Sequence, residues 1–179
     1  IVDHGDAAPV IRRYVAAGEI RESCDLASHP GRKRGVRSLL QSVRWIDGTA
    51  AFSINETFGF ECECLLDDTS AAPAKLGFGV RGELGQSVFG SSMDQHGVEG
   101  SQTGGRVLFR ALVNSLPLAP GTYSLSLSLE SGGVELDAKE EAVPFTVLWE
   151  KQPDIASPPR ANWGPLHLPV AWEVERVER

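Results

Sequence analysis

Two carboxylates, Glu61 and Glu63, have the spacing that first suggests catalytic chemistry. Paired carboxylates hydrolyse glycosides when they flank a cleft at roughly 5–10 Å, and strand residues two apart fall near that separation. Both residues belong to the same predicted strand, however, so they would line one wall of any cleft. We therefore do not expect this pair to act as a glycosidase site.

Other catalytic signatures are missing from the sequence. There is no GxxxxGK[ST] phosphate loop, and the glycine-rich segment 97–105 has no lysine and no strand–loop–helix setting. No GxSxG nucleophile elbow occurs. The acidic pairs Asp67-Asp68 and Glu140-Glu141 lack the spacing of a calcium loop and are predicted to be solvated. We expect no catalytic residue, no cofactor and no metal.

The cysteines indicate a reducing compartment. There are three, so at least one cannot pair within the chain. Cys62 and Cys64 lie on the same face of a predicted strand, where they could not easily bridge each other. The four histidines are scattered singly, which leaves too few ligands for a metal site. Core thiols of a cytoplasmic protein are the expected outcome.

Charge is distributed unevenly along the 179 residues. Residues 1–44 hold eight basic and five acidic residues, whereas residues 45–179 hold nine basic and nineteen acidic residues. The basic run Arg32-Lys33-Arg34 with Arg37 is interpreted as a solvated loop, with a phosphate or partner contact as the alternative. A pI near 5.1 argues against general nucleic-acid binding. No apolar stretch approaches the ~18 residues of a membrane span.

The local elements are predicted from hydrophobic period. Asp6 is a suitable N-cap for a short helix over residues 7–17, and the polar segment 19–35 is interpreted as a linker. Alternating patterns then predict strands at 36–45, 58–64, 76–81, 86–92, 107–113, 123–129, around 145–147, and at 166–174. In residues 123–129 three leucines and a tyrosine alternate strictly with serines, which no helix could place on one face.

These patterns predict an all-β fold. About eight short strands, joined by turns such as 131–133 and with no helix among them, are typical of an antiparallel immunoglobulin-like or jelly-roll β-sandwich. A parallel α/β sheet is excluded because the crossover helices are missing.

Two segments of this predicted sandwich resemble a known family. Residues 76–92 (LGFGVRGELGQSVFGSS) fit a G-F-x-V pattern followed by V-F-G, and residues 116–129 contain L-x-x-G-x-Y-x-L-x-L-x-L. With Asn55-Glu56, Phe145-Thr-Val and Leu168–Trp172 in the same order, they resemble the C-terminal domain of Wzt. Wzt is the nucleotide-binding subunit of ABC transporters that export O-antigen polysaccharide. The similarity spans about residues 36–174.

The N-terminal residues resemble the end of the ATPase domain of such subunits. Asp3-His4-Gly5-Asp6 precedes V-I-R-R-Y at residues 10–14. The resemblance implies that residues 1–35 are the end of an ATPase domain and a linker, and that residues 36–179 are the sandwich. The chain thus looks like part of a longer transporter ATPase. It lacks the ATPase motifs itself and is not expected to bind or hydrolyse ATP.

The resemblance also implies a function. The domain would be a non-catalytic, cytoplasmic module that recognises the non-reducing end of lipid-linked O-antigen polysaccharide, at the inner membrane beside the transporter's membrane subunit. Family members can form homodimers by exchanging a C-terminal strand, here residues 166–174 beyond the hinge 153–165. The alternatives are a structural or dimerisation sandwich, and an accessory binding domain of a cell-envelope glycosyltransferase or methyltransferase.

Sugar-contacting residues are predicted on the outward face of two strands. If the apolar residues of these strands face the core, the outward residues are Gly77, Gly79, Arg81, Ser124, Ser126 and Ser128. Phe89 would add an aromatic platform if its ring points outward, and the loop residue Trp163 is a further candidate. The alternative is that the serines only keep an exposed strand soluble and that Trp163 packs against the sandwich edge. Trp45 and Trp172 are predicted in the core.

Overall fold

The computed structural model describes residues 23–30, 37–67, 72–101, 104–149 and 164–166. Nine strands are found in this part of the chain: β1 (Ser23–Asp25), β2 (Leu40–Trp45), β3 (Ala51–Ser53), β4 (Phe58–Leu66), β5 (Ala74–Gly82), β6 (Ser87–Ser92), β7 (Gly105–Val113), β8 (Gly121–Ser131) and β9 (Val134–Leu148). One turn of 3-10 helix spans Asp94–His96. The predicted N-terminal helix and residues 167–174 of the predicted last strand lie outside the described residues.

The strands form two sheets that enclose one core. Sheet A has the order β1-β2-β4-β7, and sheet B has the order β3-β9-β8-β5-β6. All pairs are antiparallel except β3 and β9, which run parallel. The predicted all-β sandwich is therefore confirmed, with one parallel pair that the sequence patterns did not indicate.

The alternation in β8 places its two faces as predicted. Tyr123, Leu125, Leu127 and Leu129 are buried, and the intervening serines are half-buried. The tyrosine hydroxyl donates to the carbonyl oxygen of Ala119 at 2.8 Å, which ties β8 to the loop before it. A tyrosine that closes back onto upstream backbone in this way is a familiar device of immunoglobulin-like sandwiches.

Aromatic rings join the two sheets at the centre of the core. Trp45 of sheet A is 5.4 Å from Phe52 and 5.6 Å from Phe145 of sheet B, between ring centroids. Phe58 of sheet A lies 5.1 Å from Phe145. Each edge-on or tilted pair adds about 1 kcal/mol beyond the burial of its apolar area. Trp45 is thus a core residue, as its strand pattern predicts.

Two short strands were not predicted from the sequence, and the last described strand is much longer than predicted. β1 lies inside the segment interpreted as a linker and pairs with residues 42–44 of β2. β3 has three residues, too few to show an alternating pattern. β9 has 15 residues because it begins directly after the hairpin turn, where Gly132 and Gly133 have φ values of 57° and 78°. Two positive φ values are what a tight hairpin turn requires.

Two charged residues of β9 face the core. Asp137 and Lys139 are both 0% exposed. The Asp137 carboxylate accepts the backbone N–H groups of Leu39 and Leu40, each at 2.8 Å. The Lys139 ammonium donates to the carbonyl oxygen of His29 at 3.1 Å. These contacts fasten β9 of sheet B to the segments that flank β2 of sheet A.

Candidate functional site

The predicted sugar-contacting residues of β5 and β8 lie side by side. The two strands are neighbours in sheet B, and the register pairs Gly77 with Ser128, Gly79 with Ser126, and Arg81 with Ser124. We call these six residues on the outer face of sheet B the serine strip. The structure thus brings together four predicted site residues: Arg81, Ser124, Ser126 and Ser128.

Contacts with a neighbouring loop and strand hold Arg81 and Ser126 in place. The Arg81 Nη1 donates to the carbonyl oxygen of Gly85 at 3.1 Å, and its Nη2 lies 3.6 Å from the Glu140 carboxylate. The Ser126 hydroxyl accepts the backbone N–H of Glu141 at 3.0 Å. Glu141 sits in a bulge of β9 with a φ of 48°, and this bulge brings both glutamates beside the strip.

The serine strip is open and shallow. A hollow of about 140 Å³ lies over Gly79, Arg81, Ser126 and Ser128, which is smaller than the roughly 300–1,000 Å³ of enclosed ligand pockets. A Cβ at Gly79 would meet nothing closer than 4.0 Å, whereas one at Gly77 would lie 2.8 Å from the Ser128 hydroxyl. The surface therefore suits contact along an extended chain rather than burial of one small molecule.

Phe89 does not join the serine strip. In the register of β5 and β6 it lies opposite Val80, a fully buried core residue, so its side chain shares the inner face of the sheet. Its ring packs edge-on against Phe78, 6.1 Å between centroids. The aromatic platform that depended on an outward ring is therefore absent from this face. Trp163, the other aromatic candidate, lies outside the described residues.

A second polar arrangement lies on the outer face of sheet A and was not assigned from the sequence. Register places Arg44 of β2 and Arg110 of β7 on either side of Glu61 of β4. The Glu61 carboxylate accepts Arg44 Nε at 2.6 Å and Arg110 Nε at 2.9 Å, and each Nη2 also contacts it. Arg106 pairs with Glu63 on the same face. We call these five residues the arginine ladder.

The ladder shields its carboxylate and exposes its cations. The Glu61 side chain is 4% exposed, against 64% for Arg44 and 61% for Arg110. Hydrogen bonds from Arg110, and then from Arg44, hold the pKa of Glu61 below its usual range. Glu61 and Glu63 are therefore bound to arginines, and neither is presented as a free acid or base. A groove of about 490 Å³ lies over Arg44, Arg106 and both glutamates, beside Ser42 and Leu108. Arg110 is not among its lining residues.

A third concave region lies between the edge strands β6 and β7. It has a volume of about 640 Å³ and is lined mainly by apolar side chains, among them Phe78, Met93, Val98 and Leu112. Ser91 and His96 form a hydrogen bond of 2.8 Å at its border. Among the described strands, neither edge is paired on this side.

The buried thiols are not arranged for reaction. Cys62 and Cys64 lie 3.9 Å apart between sulfur atoms, and Cys24 is a third, half-buried cysteine. The hydrogen bond with Cys62 and burial both raise the pKa of Cys64, so its nucleophilic thiolate is disfavoured. Within the described part of the chain, no group of three or more potential ligands could hold a metal ion.

None of the helical structure in the described ranges is long and apolar enough to cross a membrane.

Comparison with known proteins identifies the family. A structure described as the crystal structure of the C-terminal domain of Wzt matches with a TM-score of 0.57 and 15% identity, over 82% of this chain and 86% of that one. At this identity the match shows the fold. A search of curated proteins gives no match. The family model for the Wzt C-terminal domain matches residues 42–165, and this chain belongs to that family.

Proposed function

We propose that this chain binds the non-reducing end of a lipid-linked O-antigen polysaccharide and presents it for export. The observation that carries the proposal is family membership over residues 42–165, which include seven of the nine described strands and most of β2. That membership supports a non-catalytic carbohydrate-binding domain of a transporter. The parent protein would then be an ABC transporter ATPase, working with its membrane subunit on the cytoplasmic side of the inner membrane.

The serine strip supplies the chemistry for contact along the polymer. Hydroxyls of Ser124 and Ser128 both donate and accept hydrogen bonds, and the Arg81 guanidinium adds a cationic donor. On the neighbouring strand β5, Gly79 leaves backbone surface accessible to a flat sugar ring, whereas Gly77 is buried. Trp163 stays a proposed contact because its position is not described.

We expect each binding site to be weak and the assembly to be stronger. A shallow surface buries little of its ligand, and a millimolar Kd corresponds to about −4 kcal/mol. A homodimer that holds two neighbouring polysaccharide chains would raise the apparent affinity through effective concentration.

Titration with purified O-polysaccharide from the producing strain tests the proposal. Gly79→Phe would place a ring over the strip at a site with room for a Cβ, and we expect it to weaken binding at least about tenfold. Val134→Phe is the matched control, because it adds the same ring at a residue already 62% exposed beside the hairpin turn. Thermal melts check that both variants fold.

The outcomes separate the function from the site. Absence of binding by the folded wild-type chain to its native polymer would overturn the proposed function. Equal binding by wild type and Gly79→Phe would remove the strip as the contact surface and leave the function standing. Walker and signature motifs in the sequence upstream of Ile1 would support the transporter parent over a glycosyltransferase or methyltransferase.

A role in dimerisation is the second candidate, favoured by the edge of β7 that no other described strand pairs with. Unpaired backbone groups on an edge strand are a template for another chain, and the apolar groove lies beside this edge. Residues 166–174 of a second copy are the proposed occupant. Light scattering after size exclusion should give twice the mass of one chain. Val113→Pro removes an N–H group from the edge strand and should lower the measured mass toward that of a monomer. A monomeric wild-type chain would contradict this role.

A further inference from the structure

We infer that the arginine ladder on sheet A binds an acidic sugar, a glycan residue that carries a carboxylate or a phosphate group. The inference rests on the proposed carbohydrate-binding function. It adds a second site on the opposite outer face of the sandwich from the serine strip, and it names the ligand class that this site would take.

Charge is the first argument for an anionic ligand. Three guanidinium groups face two carboxylates in the ladder, so this face has a net positive charge. The described part of the chain contains seven basic and fourteen acidic residues, so three of its seven cations are gathered on one face of an acidic domain. An anion approaching the domain would be attracted to this face.

Preorganisation is the second argument. Glu61 engages the Nε and Nη2 atoms of both Arg44 and Arg110. The planar guanidinium keeps further N–H donors for a ligand, in the fork geometry that matches carboxylate and phosphate oxygens. Because Glu61 already fixes the two side chains, a ligand has less rotamer entropy to remove when it binds.

The groove beside the ladder supplies groups for the remainder of a sugar. Its volume of about 490 Å³ lies within the usual range for small-ligand sites. Ser42 offers a hydroxyl, and Glu63 has a second carboxylate oxygen, Oε2, that accepts no hydrogen bond from the described residues. Leu108 is 54% exposed and presents an apolar surface to the C–H face of a pyranose ring. An inorganic anion such as phosphate would contact the arginines alone and would not use these additional groups.

Stability alone is a weak explanation for the ladder. Exposed ion pairs typically contribute about 0–1 kcal/mol, since solvent screens them and long side chains lose entropy. Arg106 is 80% exposed, and its ion pair among the described residues is with the partly exposed Glu63. A structural role gives no reason for Arg44 and Arg106 to line the same groove while Glu61 holds Arg110 on the other side of Arg44's partner carboxylate.

Two matched ligands test the inference by NMR on the 179-residue chain. Methyl β-D-glucuronide carries a carboxylate where methyl β-D-glucoside has a hydroxymethyl group. At millimolar concentration the glucuronide should shift the backbone amide NMR signals of Arg44, Glu61 and Arg110, and the glucoside should not. Glucose 1-phosphate should bind the same amides if the anion is a phosphate. Raising the salt concentration should weaken either interaction.

Variants locate the site. Arg110→Gln should weaken glucuronide or glucose 1-phosphate binding by about tenfold, because a charge-assisted hydrogen bond is lost. Arg106→Gln should weaken the same binding by about threefold. Because Arg106 is farther from Glu61, this variant still tests the site if Arg110→Gln fails to fold. Arg37→Gln is the matched control, since Arg37 is 59% exposed, pairs with Asp67 and does not line the groove.

Three results would overturn the inference: no shift with either anionic sugar, equal shifts with the neutral glucoside, or inorganic phosphate binding as tightly as both acidic sugars. If native polymer binds while the ladder amides stay unshifted by every probe, the inference fails and the carbohydrate-binding function survives. If glucuronide binds the ladder while native polymer does not bind, the proposed exporter function fails instead.

Discussion

The outer faces of the two sheets use polar residues in opposite ways. Sheet A presents the arginine ladder, in which one shielded carboxylate holds two exposed guanidiniums. Sheet B presents the small and hydroxylated serine strip, with Arg81 at one end. Sheet B instead places an acid and a base on its inner face, where Asp137 and Lys139 fasten the sandwich together.

This difference teaches that charge serves distinct purposes on the two sheets. The inward charges of sheet B are fully buried and bound to backbone groups, so the fold depends on them. The outward cations of sheet A are mostly exposed, so the fold should depend on them little and a ligand can reach them. The strip offers hydroxyls and open backbone, which suits neutral sugar hydroxyls along a chain.

The largest stability loss is expected from the inward charge of sheet B. Asp137→Ala leaves the N–H groups of Leu39 and Leu40 without their buried acceptor, which should cost about 3 kcal/mol in the free energy of unfolding. Urea denaturation measures this loss. Asp67→Ala removes an exposed partner of Arg37 and should cost about 0.5 kcal/mol or less. Equal losses for the two variants would contradict the contrast between inward and outward charge.

A smaller loss is expected at the aromatic residue that the register turns inward. Phe89→Ala removes a partly buried ring from Phe78 and should lower the free energy of unfolding by about 2 kcal/mol. Its polysaccharide affinity should match that of the wild type, because Phe89 is not on the serine strip. Reduced polysaccharide binding by a folded Phe89→Ala chain would indicate that the Phe89 ring contacts the ligand.

The two glycines of the strip give a finer comparison within sheet B. Gly77→Ala brings a Cβ to 2.8 Å from the Ser128 hydroxyl, so the serine must shift, at a cost of about 1 kcal/mol. Gly79→Ala meets no such contact and should be neutral or stabilising by about 0.5 kcal/mol. Thermal unfolding of the two variants measures the difference in stability. If Gly79→Ala were less stable than Gly77→Ala, the contact between Gly77 and the Ser128 hydroxyl would be contradicted.

The smallest stability effect is expected from the ladder and depends on pH. Because the folded pKa of Glu61 is lowered, the ladder stabilises the fold fully above the usual glutamate pKa of about 4.3 and loses that contribution as the pH falls toward the folded pKa. Glu61→Gln should remove this dependence. Urea midpoints of both chains from about pH 6 to about pH 3 provide the measurement. Parallel curves would mean that Glu61 does not couple to folding.

Local patterns predicted some site residues and missed others for a physical reason. Alternation determines which side chains share a face, so Ser124, Ser126 and Ser128 could be grouped from the sequence. It does not determine which strands are neighbours, so the approach of Arg44 and Arg110 to Glu61 was not assigned, although each lies in a predicted strand. Whether the Phe89 ring points outward stayed open at the sequence level, because its face depends on the register of β6 against β5.

The sequence by itself determined the strand periodicity, the buried side of β8, the Gly132-Gly133 turn and the family. Each follows from local chemistry: side chains alternate across a strand, and positive φ values favour glycine. Only the tertiary structure decided the order of strands, the inward use of Asp137 and Lys139, and the assembly of the arginine ladder. These depend on contacts between residues distant in the chain, such as the 49 positions between Glu61 and Arg110.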